Sequence, residues 1–415
     1  MWFLIYRYLS NIFFIPIFLF VLLRFLVSKE TISSVLQKFS IFNKTRPEGD
    51  LIWINGVSVG EVKTGITVAK EIKKIKPKSS ILFSTSTLSA YNVLSKSKND
   101  FIVIFFPLDI NFIVKRFLEY WNPSAAIFIE SEIWPNIFFI LKKKFIKISI
   151  LNARMSKKSF INWKRMDFFS KSVFALIDQC FTQNNDSLKR FKELGTKNVK
   201  KIQNLKYISQ ALEVDDITYK KIYNELKSKR VVTLFSSHEG EEKMFVDIYG
   251  VLSKKINNLF FIIIPRHTHR VKKIIEIFKK NKFPFLLRSE NKFQITNENF
   301  LLVDTFGELG IFFKLSEIAI VGGSFSKNGG HNPIETRNFN CSLIFGPHME
   351  NFQDVKSDIV RFEAGYEAKN STQLIQMILK LLQNKKLNKE TNLRFKNLCK
   401  NQFYKSKSML RGIIK

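Results

Sequence analysis

The chain has 415 residues, enough for two domains of ordinary size, and its 45% hydrophobic and 25% charged residues exclude a disordered chain. With 67 basic against 35 acidic residues the net charge is +32, which suits an anionic partner: a membrane surface, an anionic substrate or a nucleic acid. The 43 phenylalanines alongside so many lysines point first to drift of a whole proteome; membrane attraction ranks second, and nucleic acid third, since no zinc-finger spacing, RNP-like motif or helix-turn-helix signal is present.

The first element is apolar. From Trp2 to Val27 the chain is strongly hydrophobic, with an uncharged centre over 12–23 flanked by Arg7 and Arg24. A membrane span needs about 20 apolar residues. This run reaches that length with residues 6–11 and Arg24 at the interfaces and the arginines snorkelling. No small-residue cleavage site follows, which disfavours a removed signal peptide. The segment reads as a membrane-associated helix, spanning or lying in one leaflet. Lys29, Lys38 and Lys44 then place the main body on the cytoplasmic side.

Beyond residue 48, short apolar runs alternate with amphipathic stretches. Strands are predicted over 51–54, 80–84, 101–105, 125–129, 146–151 and 180–182. Val62, Ile66, Ala69 and Ile72 have helical spacing, so the first intervening helix has a buried face. The pattern restarts near Arg230, with strands predicted over 231–235, 259–264, 300–303, 318–321 and 342–345. Such alternation implies α/β domains, each with a parallel sheet covered on both faces. The polar stretch 209–229 reads as the connection between them, and 382–415 as a basic, helix-like end.

Several polar residues stand where strands end, the edge at which open α/β sheets collect ligands. Glu61, in Ser58-Val59-Gly60-Glu61-Val62, lies where a strand turns into a helix. A helix-start carboxylate needs no function, because it favours the macrodipole; the functional reading is a general base. Glu130 and Glu132, in Ile129-Glu130-Ser131-Glu132-Ile133-Trp134-Pro135, follow another strand. Arg154, in Asn152-Ala153-Arg154, suits a carboxylate partner or an acceptor phosphate. Arg266, in Pro265-Arg266-His267, suits a phosphate or carboxylate. Gly322-Gly323-Ser324 and Gly329-Gly330-His331 precede Asn332-Pro333-Ile334-Glu335, which reads as a capped helix start. Capping explains Asn332 and Glu335 but not the glycine pairs or His331. This is no GxGxxG fingerprint, so a dehydrogenase is excluded. Cys180, Cys341 and Cys399 are odd in number and far apart, which fits a reducing compartment, and the five histidines show no metal-ligand spacing.

Together with Trp53-Ile54-Asn55-Gly56-Val57, Met155-Ser156, Asn204-Leu205-Lys206, Ser237-His238-Glu239-Gly240-Glu241-Glu242, Asp304-Thr305-Phe306-Gly307-Glu308-Leu309 and Phe345-Gly346-Pro347-His348, these segments resemble the 3-deoxy-D-manno-octulosonic acid (Kdo) transferases of lipopolysaccharide assembly. The resemblance implies a GT-B architecture, two Rossmann-like domains facing across a cleft, with the membrane-associated helix in front. It implies inverting transfer of Kdo from CMP-Kdo to the lipid A precursor at the inner membrane, with no cofactor, metal or nucleic acid. Glu61 matches the general base, and Glu130 and Lys206 match groups that stabilise the transition state. Pro265 and Arg266, Phe306, Gly307 and Glu308, and Asn332, Pro333, Ile334 and Glu335 match the CMP-binding elements. The implied organisation is an anchor over 1–28, an acceptor domain over 45–208, a linker over 209–229, a CMP-sugar domain over 230–385 and a basic helical segment over 386–415.

Departures are few. Asn55-Gly56 replaces the more usual His-Ala, Thr268-His269 stands where Pro-Glu is common, and 336–342 lacks the usual small-residue run. Two rival readings stay open: another GT-B enzyme, an epimerase or a transferase using a UDP-sugar, and a non-catalytic basic protein of membrane surfaces.

Overall fold

The computed structural model describes residues 2–97, 99–208, 211–290 and 294–414. Two units emerge: residues 1–210 with 403–415, and residues 211–402.

The first unit contains β1 (Leu51–Asn55), β2 (Ser80–Thr85), β3 (Ile102–Phe105), β4 (Ala125–Ile129), β5 (Lys147–Ala153), β6 (Gln179–Thr182) and β7 (Val199–Lys201). They form one sheet in the order β3-β2-β1-β4-β5-β6-β7, and every pairing is parallel. Alternate residues of β1 enter different cores. Leu51 and Trp53 join one cluster, Ile52 and Ile54 the other, as a sheet covered on both faces requires. Trp53 is fully buried against Phe117, with ring centroids 4.7 Å apart, and its indole N–H donates to Ser84 Oγ at 2.8 Å. The strand order reverses between β1 and β4, so side chains just beyond these strands lie at the topological switch point.

The second unit repeats the design with β8 (Arg230–Ser237), β9 (Leu259–Pro265), β10 (Phe285–Leu287), β11 (Phe300–Leu302), β12 (Ile318–Val321), β13 (Ser342–Phe345) and β14 (Tyr366–Glu367). Its order is β10-β11-β9-β8-β12-β13-β14, again all parallel. Here the reversal falls between β8 and β12.

Three expectations change. The apolar N-terminus is two helices, Trp2–Ile12 and Phe14–Leu26, bent by 48°. Pro16, in the first turn of the second helix, has no N–H for the carbonyl of Ile12, which favours the break there. No single helix among the described residues is long and apolar enough to cross a membrane; the bent pair meets that standard by length and composition. Met1 lies outside the described residues.

The stretch 209–229 is not a bare linker. Ser209 and Gln210 lie outside the described residues, but Asp216–Leu226 is a helix capped by Asp215, whose side chain accepts from Thr218 N–H at 2.9 Å. Its Ile222 and Leu226 are buried, so it belongs to the second unit. Finally, the basic end is no separate segment. One helix, Lys385–Ile414, begins in the second unit and its residues from Phe403 belong to the first. There Leu410 is buried and Arg411 Nε meets Glu71 Oε2 at 2.9 Å. Lys415 lies outside the described residues.

The first helix is fastened by polar contacts. Tyr6 OH donates to Asp109 Oδ2 at 3.0 Å, Arg7 Nε to Asn111 Oδ1 at 2.9 Å, and Asn136 Nδ2 to Ser10 Oγ at 3.1 Å. Asp109 also accepts from the N–H groups of Asn136 (3.2 Å) and Ile137 (2.9 Å), at the start of helix Pro135–Lys143. Desolvation pushes the Asp109 carboxyl up to about 7, despite these donors. Outward, the helix pair presents Ile12, Phe13, Leu19, Phe20, Leu23 and Leu26.

Candidate functional site

Three carboxylates and a lysine meet beyond the strand ends of the first unit. Ser58 caps helix Val59–Ile75, and Glu61 is its third residue. Glu61 Oε2 accepts from Val57 N–H at 2.8 Å and Oε1 from Ser58 Oγ at 2.9 Å, so the carboxylate folds back on its own turn. A helix start lowers a carboxyl's pKa and burial raises it, and at Glu61 burial wins. Desolvation, and then the charge of Glu130, raise it; the Val57 and Ser58 hydrogen bonds only partly offset them.

Glu130 follows β4 with φ 66°, a left-handed conformation that turns the chain out of the strand. Its Oε1 meets Lys206 Nζ at 3.0 Å, and both side chains are mostly buried. Lys206 is placed from a distance in sequence. Asn152, fully buried and also left-handed at φ 57°, accepts from Leu205 N–H at 3.0 Å through Oδ1 and donates to Glu130 Oε1 at 3.5 Å through Nδ2. Asn204 accepts from Lys206 N–H at 3.0 Å and donates to Gln183 Oε1 at 3.0 Å. Asn152 and Asn204 are therefore positioning residues that residue-type reasoning alone gave no role.

Glu132 completes the cluster. Its Oε2 accepts from Trp134 Nε1 at 2.8 Å, and burial, then the Glu61 charge, push its carboxyl up to about 7. The sign for stability follows. A carboxyl raised above its unfolded value contributes full stability below that value and loses it as pH rises through about 7. Glu132→Gln removes the titration. Its melting temperature should gain on the parent's as pH rises from about 5 to about 8, read by thermal unfolding at each pH. A difference that does not vary with pH would show that Glu132 does not titrate in this window.

The predicted CMP-binding residues all lie in the second unit. Pro265 closes β9 and Arg266 is exposed just beyond it. In the Phe306-Gly307-Glu308 turn Phe306 is 79% exposed, Gly307 has φ 88°, and Glu308 is held by Arg288 Nη2 at 2.5 Å and by Thr305 Oγ1. The expected helix at Asn332-Pro333-Ile334-Glu335 is absent. Only a 3-10 turn, Pro333–Thr336, forms, and Asn332 Oδ1 accepts from Ile334 N–H at 3.2 Å. Residues 337–341 alone separate this turn from β13, too short a run to continue a helix and still return to the sheet. The turn thus has no helix macrodipole to offer an anion.

Around it stands a network that motif reading left without a role. Glu241 accepts from the N–H groups of His238 (2.8 Å), Gly323 (2.7 Å) and Phe325 (3.0 Å), tying the ends of β8 and β12 together. Glu242, fully buried, takes Arg270 Nη1 at 2.6 Å, Nη2 at 3.1 Å and Ser237 Oγ at 2.7 Å. His238 Nε2 and His331 Nε2 are 2.8 Å apart, their rings nearly parallel at 9°. The sequence signal was the acidic pair Glu241-Glu242 after Gly240, where a strand gives way to a helix.

Two Rossmann-like units with their polar groups at the switch points make a GT-B-like α/β fold. The fold is similar to that of a glycosyltransferase from Rickettsia africae, at TM-score 0.61 and 14% identity, covering 90% of this chain and 97% of that one. Residues 33–209 match the family described as 3-Deoxy-D-manno-octulosonic-acid transferase (kdotransferase). A 3-deoxy-D-manno-octulosonic acid transferase of Rickettsia bellii is 31% identical over 379 residues, spanning 91% of this chain and 90% of its own length. One from Haemophilus influenzae is 30% identical over 356 residues, spanning 84% and 82%. The chain belongs to the 3-deoxy-D-manno-octulosonic acid transferase family.

Proposed function

We propose that this protein moves Kdo from CMP-Kdo to the lipid A precursor (lipid IVA) in lipopolysaccharide synthesis, with inversion at the anomeric carbon. The observation that carries the reading is the arrangement of Glu61, Glu130 and Lys206 at one switch point. Glu61 takes the proton of the acceptor hydroxyl as the new C–O bond forms, while the bond from the anomeric carbon to the CMP phosphate breaks and its electron pair leaves with CMP. The acceptor hydroxyl is a far weaker acid than any carboxyl, so a base matters most late in bond formation. A raised pKa makes Glu61 the stronger base for that moment. Val57 N–H and Ser58 Oγ fix its orientation. Lys206, steadied by Glu130, supplies positive charge where negative charge develops.

Donor binding falls to the second unit. Arg266 suits the phosphate, Phe306, Gly307 and Glu308 border the nucleoside, and Glu335 accepts from ribose hydroxyls. The acceptor is an anionic membrane lipid. The basic body and the apolar helix pair both suit work on the cytoplasmic face of the inner membrane, with the helix pair as anchor.

The test is mass spectrometry of the lipid product after incubation with CMP-Kdo and lipid IVA. The expected result is a mass increase of one or more Kdo units. No increase, with transfer or epimerisation seen instead for a UDP-sugar, would overturn the assignment in favour of the rival GT-B reading. Lipid binding without any turnover would favour the non-catalytic one.

A further inference from the structure

We propose that His238 and His331 form a proton-accepting phosphate subsite in the second unit, an inference that rests on the CMP-sugar reading and adds to it a group that changes charge as the anion arrives. The geometry is specific. The Nε2 atoms are 2.8 Å apart, and a hydrogen bond between two imidazole nitrogens needs a single bridging proton, with one ring donating and the other accepting. The two rings therefore cannot both be fully protonated while this bond stands.

The surroundings keep the pair neutral while no anion is bound. From the end of β9 come Arg266 and His267, and from the turn Thr268–Arg270 come His269 and Arg270. From helix Glu241–Leu252 come Glu241 and Glu242. Glu242 is committed to Arg270 and Ser237, and Glu241 to backbone N–H groups and Ser326. Neither carboxylate is free to accept a proton-bearing imidazole. Burial, and then Arg266, hold His331 down to about 3, and burial and Arg270 lower His238. An entering phosphate reverses the balance. It offers an acceptor for the ring N–H groups and the negative charge that favours an extra proton.

The glycines now have a reason. Gly323 has φ +70°, and a Cβ there would lie 3.2 Å from Cδ2 of both rings. At Gly322 a Cβ would stand 2.3 Å from the Ser236 carbonyl oxygen. Gly323 thus leaves room for the two imidazoles side by side at the end of β12, and Gly322 lets that strand end approach the backbone of β8.

The test is isothermal titration of the full chain near neutral pH in two buffers of different ionisation enthalpy, with CMP, cytidine and inorganic phosphate as probes. The parent is expected to take up protons on binding CMP. H238Q and H331Q, with unchanged thermal unfolding, should lose that uptake and bind CMP roughly 10–100-fold more weakly. Cytidine, which lacks the phosphate, should bind parent and variants alike. CMP binding without proton uptake, or uptake that survives both substitutions, would overturn the inference. Absence of CMP binding alongside proton-linked phosphate binding that both variants lose would instead sink the nucleotide reading and leave the subsite standing.

Discussion

Glu61→Gln should lower kcat for Kdo transfer by about 10²–10⁴-fold, the range expected for loss of a positioned general base. The substitution keeps the shape of the site. A Gln oxygen can still accept from Val57 N–H, and its NH₂ can donate to Ser58 Oγ, so the first turn of helix Val59–Ile75 has no cause to unravel. KM should change little, because the loss lies in the transition state. The parent's kcat/KM should rise with pH as Glu61 loses its proton, with a midpoint above the ordinary carboxyl range. Removing the neighbouring negative charge with Glu130→Gln should move that midpoint to lower pH, on top of any loss of rate, since Glu130 is one of the two causes of the upward shift. Steady-state assays of CMP release with lipid IVA as acceptor would read both effects. Near-parent turnover by folded Glu61→Gln would remove Glu61 from the role of base.

The largest effect on stability is expected at Arg270. Arg270→Ala leaves Glu242 fully buried with Ser237 Oγ as its remaining side-chain donor, having lost contacts of 2.6 and 3.1 Å. Breaking such a pair from one side costs about 3–5 kcal/mol, because the surviving charge stays desolvated. In a unit of this size that is a fall of roughly 6–20 °C in melting temperature. Replacing both partners together, with Arg270→Met and Glu242→Leu, should cost much less than Arg270→Ala, because no charge is stranded. Calorimetry of the two variants decides the matter. Equal losses would mean that packing around Arg270, and not the pairing of Glu242, holds this region.

The longer strands were legible because each is an apolar run bounded by polar residues, as at 318–321 and 342–345. The three missing ones are short or masked by charge: Val199–Lys201 is two-thirds lysine, Phe285–Leu287 has three residues, and Tyr366–Glu367 is a bare pair. They exist because a neighbouring strand supplies hydrogen bonds, which no local pattern records. The helix Asp216–Leu226 was hidden by its wide solvated face, with Ile222 and Leu226 turned inward. In the site, Glu61, Glu130 and Glu132 stood out because they interrupt apolar runs at strand ends. Lys206 did not, being one lysine among many; only the family resemblance picked it out, and Asn152, 53 residues away from Leu205, explains its placement. His238 and His331 are 93 residues apart, and only the adjacency of β8 and β12 brings them together. The predicted helix after Asn332 failed for a related reason. The capping signature was sound, but the short return to β13 left no room to use it.

The fastening of the first helix bears on how this protein should be handled. Removing Trp2–Ile12 to improve solubility would strip Asp109 of its Tyr6 donor and Asn136 of its Ser10 partner, at the start of the helix that follows the Glu130–Glu132 loop. A preparation shortened in this way would lose more than grease. A more soluble variant would leave the backbone whole and change only its outer face, exchanging Ile12, Phe20, Leu23 and Leu26 for polar residues while keeping Tyr6, Arg7 and Ser10.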